Sequence, residues 1–247
     1  MSNATPSFNV ERFHDGKIVM AVLNRPPLNT TVQTTYSQVI ELIAEINNDT
    51  RVCSLIIAAE GRVFSAGADK NDFQNATAQE SALRRPVLRA ACDALLACEV
   101  PVVTAVHGPA VGAGALIAAS GDVILMAPEA FISIPEIDSG VIGAARGLMK
   151  IVPSQKAREM ALTGSRVSAD QLYGYGAVHS IVPQEQIRDR ALEVAERLAS
   201  HGSLTVRKWK EALNVGAEVS PKAGLLIEQC LSQELAALSA PVEEVAR

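Results

Sequence analysis

Apolar positions along the chain fall into short continuous runs separated by longer stretches in which they recur every three or four residues. Residues 8–13 and 17–24 are two β-rich runs, and His14-Asp15-Gly16 between them reads as a hairpin turn. Thr30 or Thr31 is then placed to cap a helix whose apolar face is Val32, Tyr36, Val39, Ile40, Ile43 and Ile46. Residues 53–59, CSLIIAA, suit a strand buried on both faces. A glycine-bearing loop spans 60–69, and an amphipathic helix spans 79–98, interrupted or kinked near Pro86. Residues 102–106 form the next buried strand, and the turn at 107–114 leads into an alanine-rich helix ending near Ser120. Further short strands are expected at 122–126, 130–133 and 177–182. Beyond about residue 150 the pattern is mostly helical, over 184–200, 204–214 and 221–238. Strands alternating with helices imply parallel crossovers and an α/β fold. The reading is one structural unit: an α/β core over 1–190 and a helical C-terminal extension over 191–247, suited to contacts between subunits and to covering the site.

The chain has 247 residues, enough for one sizeable core. No apolar run is long enough to span a bilayer, and the first ten residues are polar, so a cytoplasmic protein without membrane contact is expected. A net charge of −5 does not favour a nucleic-acid partner. Cys53, Cys92, Cys98 and Cys230 are scattered, with neither CxxC nor metal-ligand spacing to a histidine, and read as small buried thiols. Tyr173 and Trp209 read as core or interface residues.

Three segments could carry chemistry. Phe64-Ser65-Ala66-Gly67-Ala68-Asp69 and His107-Gly108-Pro109-Ala110-Val111-Gly112-Ala113-Gly114 share one design: each follows a buried strand, is built of small residues and leads toward a helix. Unpaired N–H groups at such places, with small side chains admitting a ligand, could hold an oxyanion. The same small residues could equally serve tight helix–sheet packing. Neither loop has a phosphate-cradling glycine pattern. The third segment, residues 134–143, places Glu136 and Asp138 among apolar neighbours, where a carboxyl pKa rises toward the range useful for acid–base work. A loop with one solvated acid and one cap is the other reading.

Together with Arg25-Pro26-Pro27-Leu28-Asn29, these segments give the chain a resemblance to the crotonase superfamily, the enoyl-CoA hydratase/isomerase family. FSAGAD at 64–69 is the most specific match. HGPAVGAGALIAASGD at 107–122 is similar to the family pattern NGxAxGGGxELAxxCD, and PEIDSGVIGAARG at 135–147 to PExxLGxxPGxGG. The resemblance covers nearly the whole chain and implies a crotonase-like ββα spiral core. It implies an acyl-CoA thioester as substrate, with coenzyme A entering only as part of it and no metal or redox cofactor, and assembly as a homotrimer or homohexamer.

By position, the resemblance makes the amides of Ala68 and Ala113 the oxyanion hole and Glu136 the acid–base residue. Leu28, Ala66, Gly67, Asp69, Lys70, Gly112, Leu116, Gly140 and Arg146 would line the substrate. Alanine at 113 stands where most relatives have glycine, and would be strained if the site needs positive φ. Family hydratases commonly carry a second glutamate where this chain has Leu116. That tilts the implied reaction toward double-bond isomerisation by a single glutamate, unless Asp138 replaces the missing acid and makes a hydratase. A thioester hydrolase and a non-catalytic acyl-CoA-binding relative are the further alternatives. Arg146 replaces a glycine and could recognise a polar acyl group or lie at a surface or subunit contact. His107 replaces an asparagine in a structural role, Asp122 caps or pins the following strand, and Ala144 cannot serve as the aspartate nucleophile of aryl-halide chemistry. Ser65 and His107 or His179 lack the motifs of a serine peptidase.

Overall fold

A computed structural model describes residues 7–69 and 78–239, and of residues 78–85, 146 and 239 the backbone alone. The first two strands, β1 (Phe8–Phe13) and β2 (Ile18–Leu23), form the expected hairpin, with Phe8 opposite Leu23 and Phe13 opposite Ile18. β2 continues into a parallel array with β3 (Ser54–Ala59), β4 (Val102–Val106), β6 (Val123–Met126) and β9 (Ser180–Ile181), in the order β1-β2-β3-β4-β6-β9. Every residue of β2, β3 and β4 is buried, as befits a parallel sheet covered on both faces.

The crossover from β2 to β3 is α1 (Gln33–Asn48), which buries Tyr36, Val39, Ile43 and Ile46 as its periodicity predicts. Its cap differs from expectation. The N-cap is Val32, whose N–H donates to Thr35 Oγ1, because the Thr30 hydroxyl is bonded to Asp69, the Thr31 hydroxyl to the Tyr36 phenol and the Thr31 backbone to Gly67 and Asp69. α2 (Ala78–Leu96) packs against α1 with Pro86 inside it. α3 (Ala113–Ala119) joins β5 (Ala110–Val111) to β6.

A second, three-stranded sheet orders β5-β7-β8, from β5, β7 (Phe131–Ser133) and β8 (Arg166–Ser168). Sequence periodicity missed β8, α5 (Ser154–Thr163) and α6 (Ala169–Gly174), which follow the one-turn helix α4 (Ala145–Leu148). These elements are too short for a periodic signal, although α6 carries a local one: Ser168 Oγ accepts from the Gln171 N–H. α7 (Ile187–Ala199) packs on β3 and β4, and α8 (Ser203–Gly216) pairs with α9 (Pro221–Ser239).

The core is mainly aliphatic, and among the described residues Lys210, 6% exposed, is the charged residue sunk deepest in it. Its ammonium donates to the Val100 carbonyl and pairs with Asp122 at 2.7 Å, while Asp122 accepts from the Val102 N–H. Asp122 thus pins the start of β4 and not, as expected, the strand that follows it, because its carboxylate reaches back to the neighbouring parallel strand. Cys53 and Cys98 are buried, but Cys92 is half-buried and Cys230 exposed, because they face outward on α2 and α9. Tyr173 and Trp209 are not core residues, being 55% and 61% exposed. Among the described residues no helix is long and apolar enough to cross a membrane.

Candidate active site

β3 and β4 are parallel neighbours, so the loops that leave their carboxyl ends emerge side by side. The first is 60–69, the second 107–112. They are laced together: the Ser65 N–H donates to the Pro109 carbonyl, and the Val111 N–H to the Ser65 carbonyl. Gly114 lies directly on Ser65, since a Cβ there would stand 2.6 Å from the Ser65 Cβ. Ser65 is fully buried, its hydroxyl donating to the Asn29 carbonyl and accepting from the Gly67 N–H. It is a structural serine.

The amides of the first loop can be followed one by one. Ser65 N–H goes to Pro109, Ala66 N–H to the Leu28 carbonyl, Gly67 N–H to Ser65 Oγ, and Asp69 N–H to the Thr31 carbonyl. Among the described residues the Ala68 N–H has no acceptor. Its direction is fixed. The Gly67 carbonyl accepts from the Thr31 N–H, and in a trans peptide the next N–H points the opposite way. The Ala68 N–H therefore faces away from the 25–31 segment.

On the second loop, the Gly112 N–H donates to the Ser133 carbonyl and the Gly112 carbonyl accepts from the Leu116 N–H. The Ala113 N–H, first of α3, thus points out of the helix start with no protein acceptor among the described residues. The two loops touch next to these amides. A Cβ on Gly67, at φ +83°, would meet the Val111 carbonyl oxygen at 2.5 Å and the Ala113 nitrogen at 3.3 Å. The positive φ of the second loop falls on Gly112, at +56°, and not on Ala113, so alanine at 113 carries no backbone strain.

The small sheet positions Glu136. β5 pairs with β7, Val111 opposite Ser133, and β7 leads into a 3₁₀ turn at Pro135–Ser139 that carries Glu136. The half-buried Glu136 side chain reaches back over the second loop, where a Cβ on Gly112 would stand 2.9 Å from Oε1. Oε2 is buried and, among the described residues, without a hydrogen-bond partner. Burial pushes the carboxyl pKa up, and the Glu136 N–H opposes this in part.

The remaining expected residues are distributed around this centre. Leu116, one helical turn from Ala113, packs on Gly147, where a Cβ would come within 2.4 Å of its Cδ2. Asp138 is exposed on the same 3₁₀ turn as Glu136, but its Oδ2 lies toward Gly164, 3.4 Å from where a Cβ there would stand, and not over Gly112. Gly140 closes the turn in the left-handed region, φ +65°. Leu28 is exposed at the rim and Ala66 half-buried. Asp69 accepts from Arg25 and Thr30 through Oδ2. Lys70 and the Arg146 side chain lie outside the described residues. His107 is buried and bonded through Nε2 to the Gly61 carbonyl, with burial lowering its pKa, consistent with a structural role. No cluster of three metal-ligating side chains occurs among the described residues.

What sequence reasoning missed is the 25–31 segment that holds the first loop. Asn29, at φ +51°, donates from Nδ2 to the Glu60 and Val63 carbonyls and accepts the Arg25 N–H. The signal was visible in Arg25-Pro26-Pro27-Leu28-Asn29, but as a motif without a stated job.

The structure thus brings onto neighbouring loops the Ala68 and Ala113 N–H groups, both without an acceptor among the described residues, and places the raised Glu136 carboxyl over Gly112. Residues 14–240 match the model of the enoyl-CoA hydratase/isomerase family, and the chain belongs to that family and has the crotonase fold. It is 34% identical over 222 residues to a Rhodococcus jostii (strain RHA1) protein named (7aS)-7a-methyl-1,5-dioxo-2,3,5,6,7,7a-hexahydro-1H-indene-carboxyl-CoA hydrolase, covering 88% of this chain and 85% of that one. It is 31% identical over 231 residues to 2,3-dehydroadipyl-CoA hydratase of Escherichia coli (strain K12), covering 90% and 88%. The crystal structure of enoyl-CoA hydratase from Bacillus anthracis superposes with a TM-score of 0.86 at 25% identity, covering 92% and 90%.

Proposed function

We propose that the chain is a proton-transfer enzyme acting on an acyl-CoA thioester, with a tilt toward double-bond isomerisation of an enoyl-CoA. The thioester oxygen accepts from the Ala68 and Ala113 N–H groups. Polarised there, the carbonyl acidifies its α-protons. The Glu136 carboxylate takes the proton from Cα, the electrons move into the enolate held by the two amides, and the same carboxyl returns the proton at Cγ. The reaction so written draws on no metal or redox group, and coenzyme A takes part only as the thiol of the substrate.

The observation that carries this reading is the single carboxylate over Gly112, with Leu116 at the position of the second family acid and the Asp138 carboxyl directed elsewhere. One carboxyl can shuttle one proton, whereas hydration needs water activated and carbon protonated together. Incubation with 2-enoyl-CoA and 3-enoyl-CoA, each followed by absorbance and mass, tests it. Conversion of the 3-enoyl ester faster than hydration of the 2-enoyl ester is expected, and efficient hydration abolished by Asp138→Asn would overturn it. One specific observation favours a second reading: the relative from Rhodococcus jostii is named a CoA hydrolase. With Glu136 activating water, release of free thiol would identify a thioester hydrolase. A non-catalytic acyl-CoA-binding role would show as binding without turnover.

We also propose a homotrimer or homohexamer in the cytoplasm. Support for assembly comes from the last two helices, whose Trp209, Leu213, Leu225 and Leu226 are all exposed.

A further inference from the structure

We infer that Arg25 is a positioning residue for the oxyanion hole, acting through Asp69 and Thr30 to aim the Ala68 N–H; this rests on the assignment of that amide proposed above. The direction of the Ala68 N–H is set by its flanks. On one side the Gly67 carbonyl accepts from the Thr31 N–H, and on the other the Asp69 N–H donates to the Thr31 carbonyl. The peptide that matters is therefore strung between two hydrogen bonds to one residue, Thr31. Those bonds hold direction only if residues 30–31 and residue 69 keep their spacing.

The Arg25 guanidinium sits where it fixes that spacing. Its Nη1 donates to the Thr30 carbonyl at 3.4 Å, to Thr30 Oγ1, and to Asp69 Oδ2 at 3.1 Å. Thr30 Oγ1 in turn donates to the same Asp69 oxygen at 3.0 Å. One cation thus ties Asp69, which follows Ala68, to Thr30, which precedes Thr31. The other end of Arg25 is anchored too, its N–H and carbonyl both bonded to Asn29. A partly exposed ion pair such as this stabilises a fold little. Its consequence lies in geometry, because an amide that drifts loses its hold on charge that develops only in the transition state.

The test uses the full-length protein and butyryl-CoA labelled with ¹³C at the carbonyl, a saturated thioester that cannot be hydrated or isomerised. The carbonyl stretch of the bound ester reports polarisation by the two amides directly. Wild-type protein is expected to shift it to lower frequency. Arg25→Gln and Asp69→Asn should each diminish that shift and lower kcat/KM by roughly ten- to a hundredfold, mostly in kcat, short of the 10²–10³ that follows outright loss of a donor. Arg25→Lys, which keeps the cation, should recover part of both, and the circular dichroism and melting of all three should stay near wild type. Should Arg25→Gln not fold, Asp69→Asn carries the same test. A full shift retained in Arg25→Gln and Asp69→Asn overturns the positioning role while leaving the oxyanion hole intact. A wild-type protein that binds butyryl-CoA with no shift overturns the oxyanion assignment itself, and the two failures are thereby told apart.

Discussion

The carboxylate of Glu136 occupies the space that a side chain on Gly112 would need: a Cβ there would stand 2.9 Å from Oε1. Because the clashing atom is the tip of a flexible side chain, Gly112→Ala displaces the acid before it disrupts the fold. The backbone adds its own cost, since alanine at φ +56° and ψ −119°, outside the left-handed helical region, is strained by about 1–3 kcal/mol. We expect a melting temperature lower by a few degrees, about 2–4 °C per kcal/mol for a chain of this size, and a much larger proportional loss of turnover. Calorimetry beside steady-state kinetics checks the contrast, and unchanged turnover would show that Glu136 is not confined there.

Ala144 is a non-glycine residue in the left-handed region, φ +64°, just before α4. Glycine there relieves about 1–2 kcal/mol of strain and gives back about 0.4–1 kcal/mol through the freer unfolded chain. Ala144→Gly should therefore stabilise the protein by about 0.5–1 kcal/mol, measurable as a higher urea midpoint. A lower midpoint would refute the balance.

The raised pKa of Glu136 makes two opposite pH statements. With the carboxylate as the proposed base, turnover should fall as pH drops through a value above the usual glutamate range. In stability the sign reverses. A carboxyl whose folded pKa is raised favours folding when protonated, and that contribution is lost as pH rises through the folded pKa. Glu136→Gln should raise the melting temperature at pH 8 and leave it nearly unchanged at pH 4. Equal shifts at both values would show that burial of the charge is not the cause.

Leu116→Glu places a second acid where family hydratases have one. It should raise hydration of 2-enoyl-CoA relative to isomerisation of 3-enoyl-CoA. The new carboxyl enters a contact with Gly147, where a Cβ would lie 2.4 Å from the present Leu116 Cδ2, and burial without a partner costs roughly 1–3 kcal/mol. A lower melting temperature is therefore expected alongside the change in product ratio, and an unchanged ratio would separate this position from the chemistry.

The assembly proposal is tested by light scattering at micromolar concentration, with three or six times the 26.1 kDa chain mass expected. The monomer mass throughout would contradict it.

Much of this was legible in the sequence because the parallel strands are continuous apolar runs and the long helices have clear periods. The motif residues Ala68, Ala113 and Glu136 meet in one place because β3 and β4 are neighbours and β5 pairs with β7. That pairing was not readable, since β5 is two residues long and β7 three. The roles of Thr30 and Thr31 were misread for a related reason. A threonine before an amphipathic run looks like a cap locally, while the Thr30 hydroxyl bonds Asp69, far along the chain, and the Thr31 hydroxyl bonds the Tyr36 phenol with its backbone bonded to Gly67 and Asp69. Which way Asp138 points was equally invisible, because two acids two residues apart on a 3₁₀ turn face different neighbours.

We propose that Glu136 moves a proton beside a thioester carbonyl held by the Ala68 and Ala113 amides. The most direct measurement is loss of deuterium from Cα of a 3-enoyl-CoA deuterated there, followed by NMR for wild type and Glu136→Gln. Wild type is expected to remove that deuterium, to Cγ or to solvent, and the variant to do so about 10²- to 10⁴-fold more slowly, with binding of the ester within a few-fold of wild type. Removal by Glu136→Gln at a rate near wild type would contradict this.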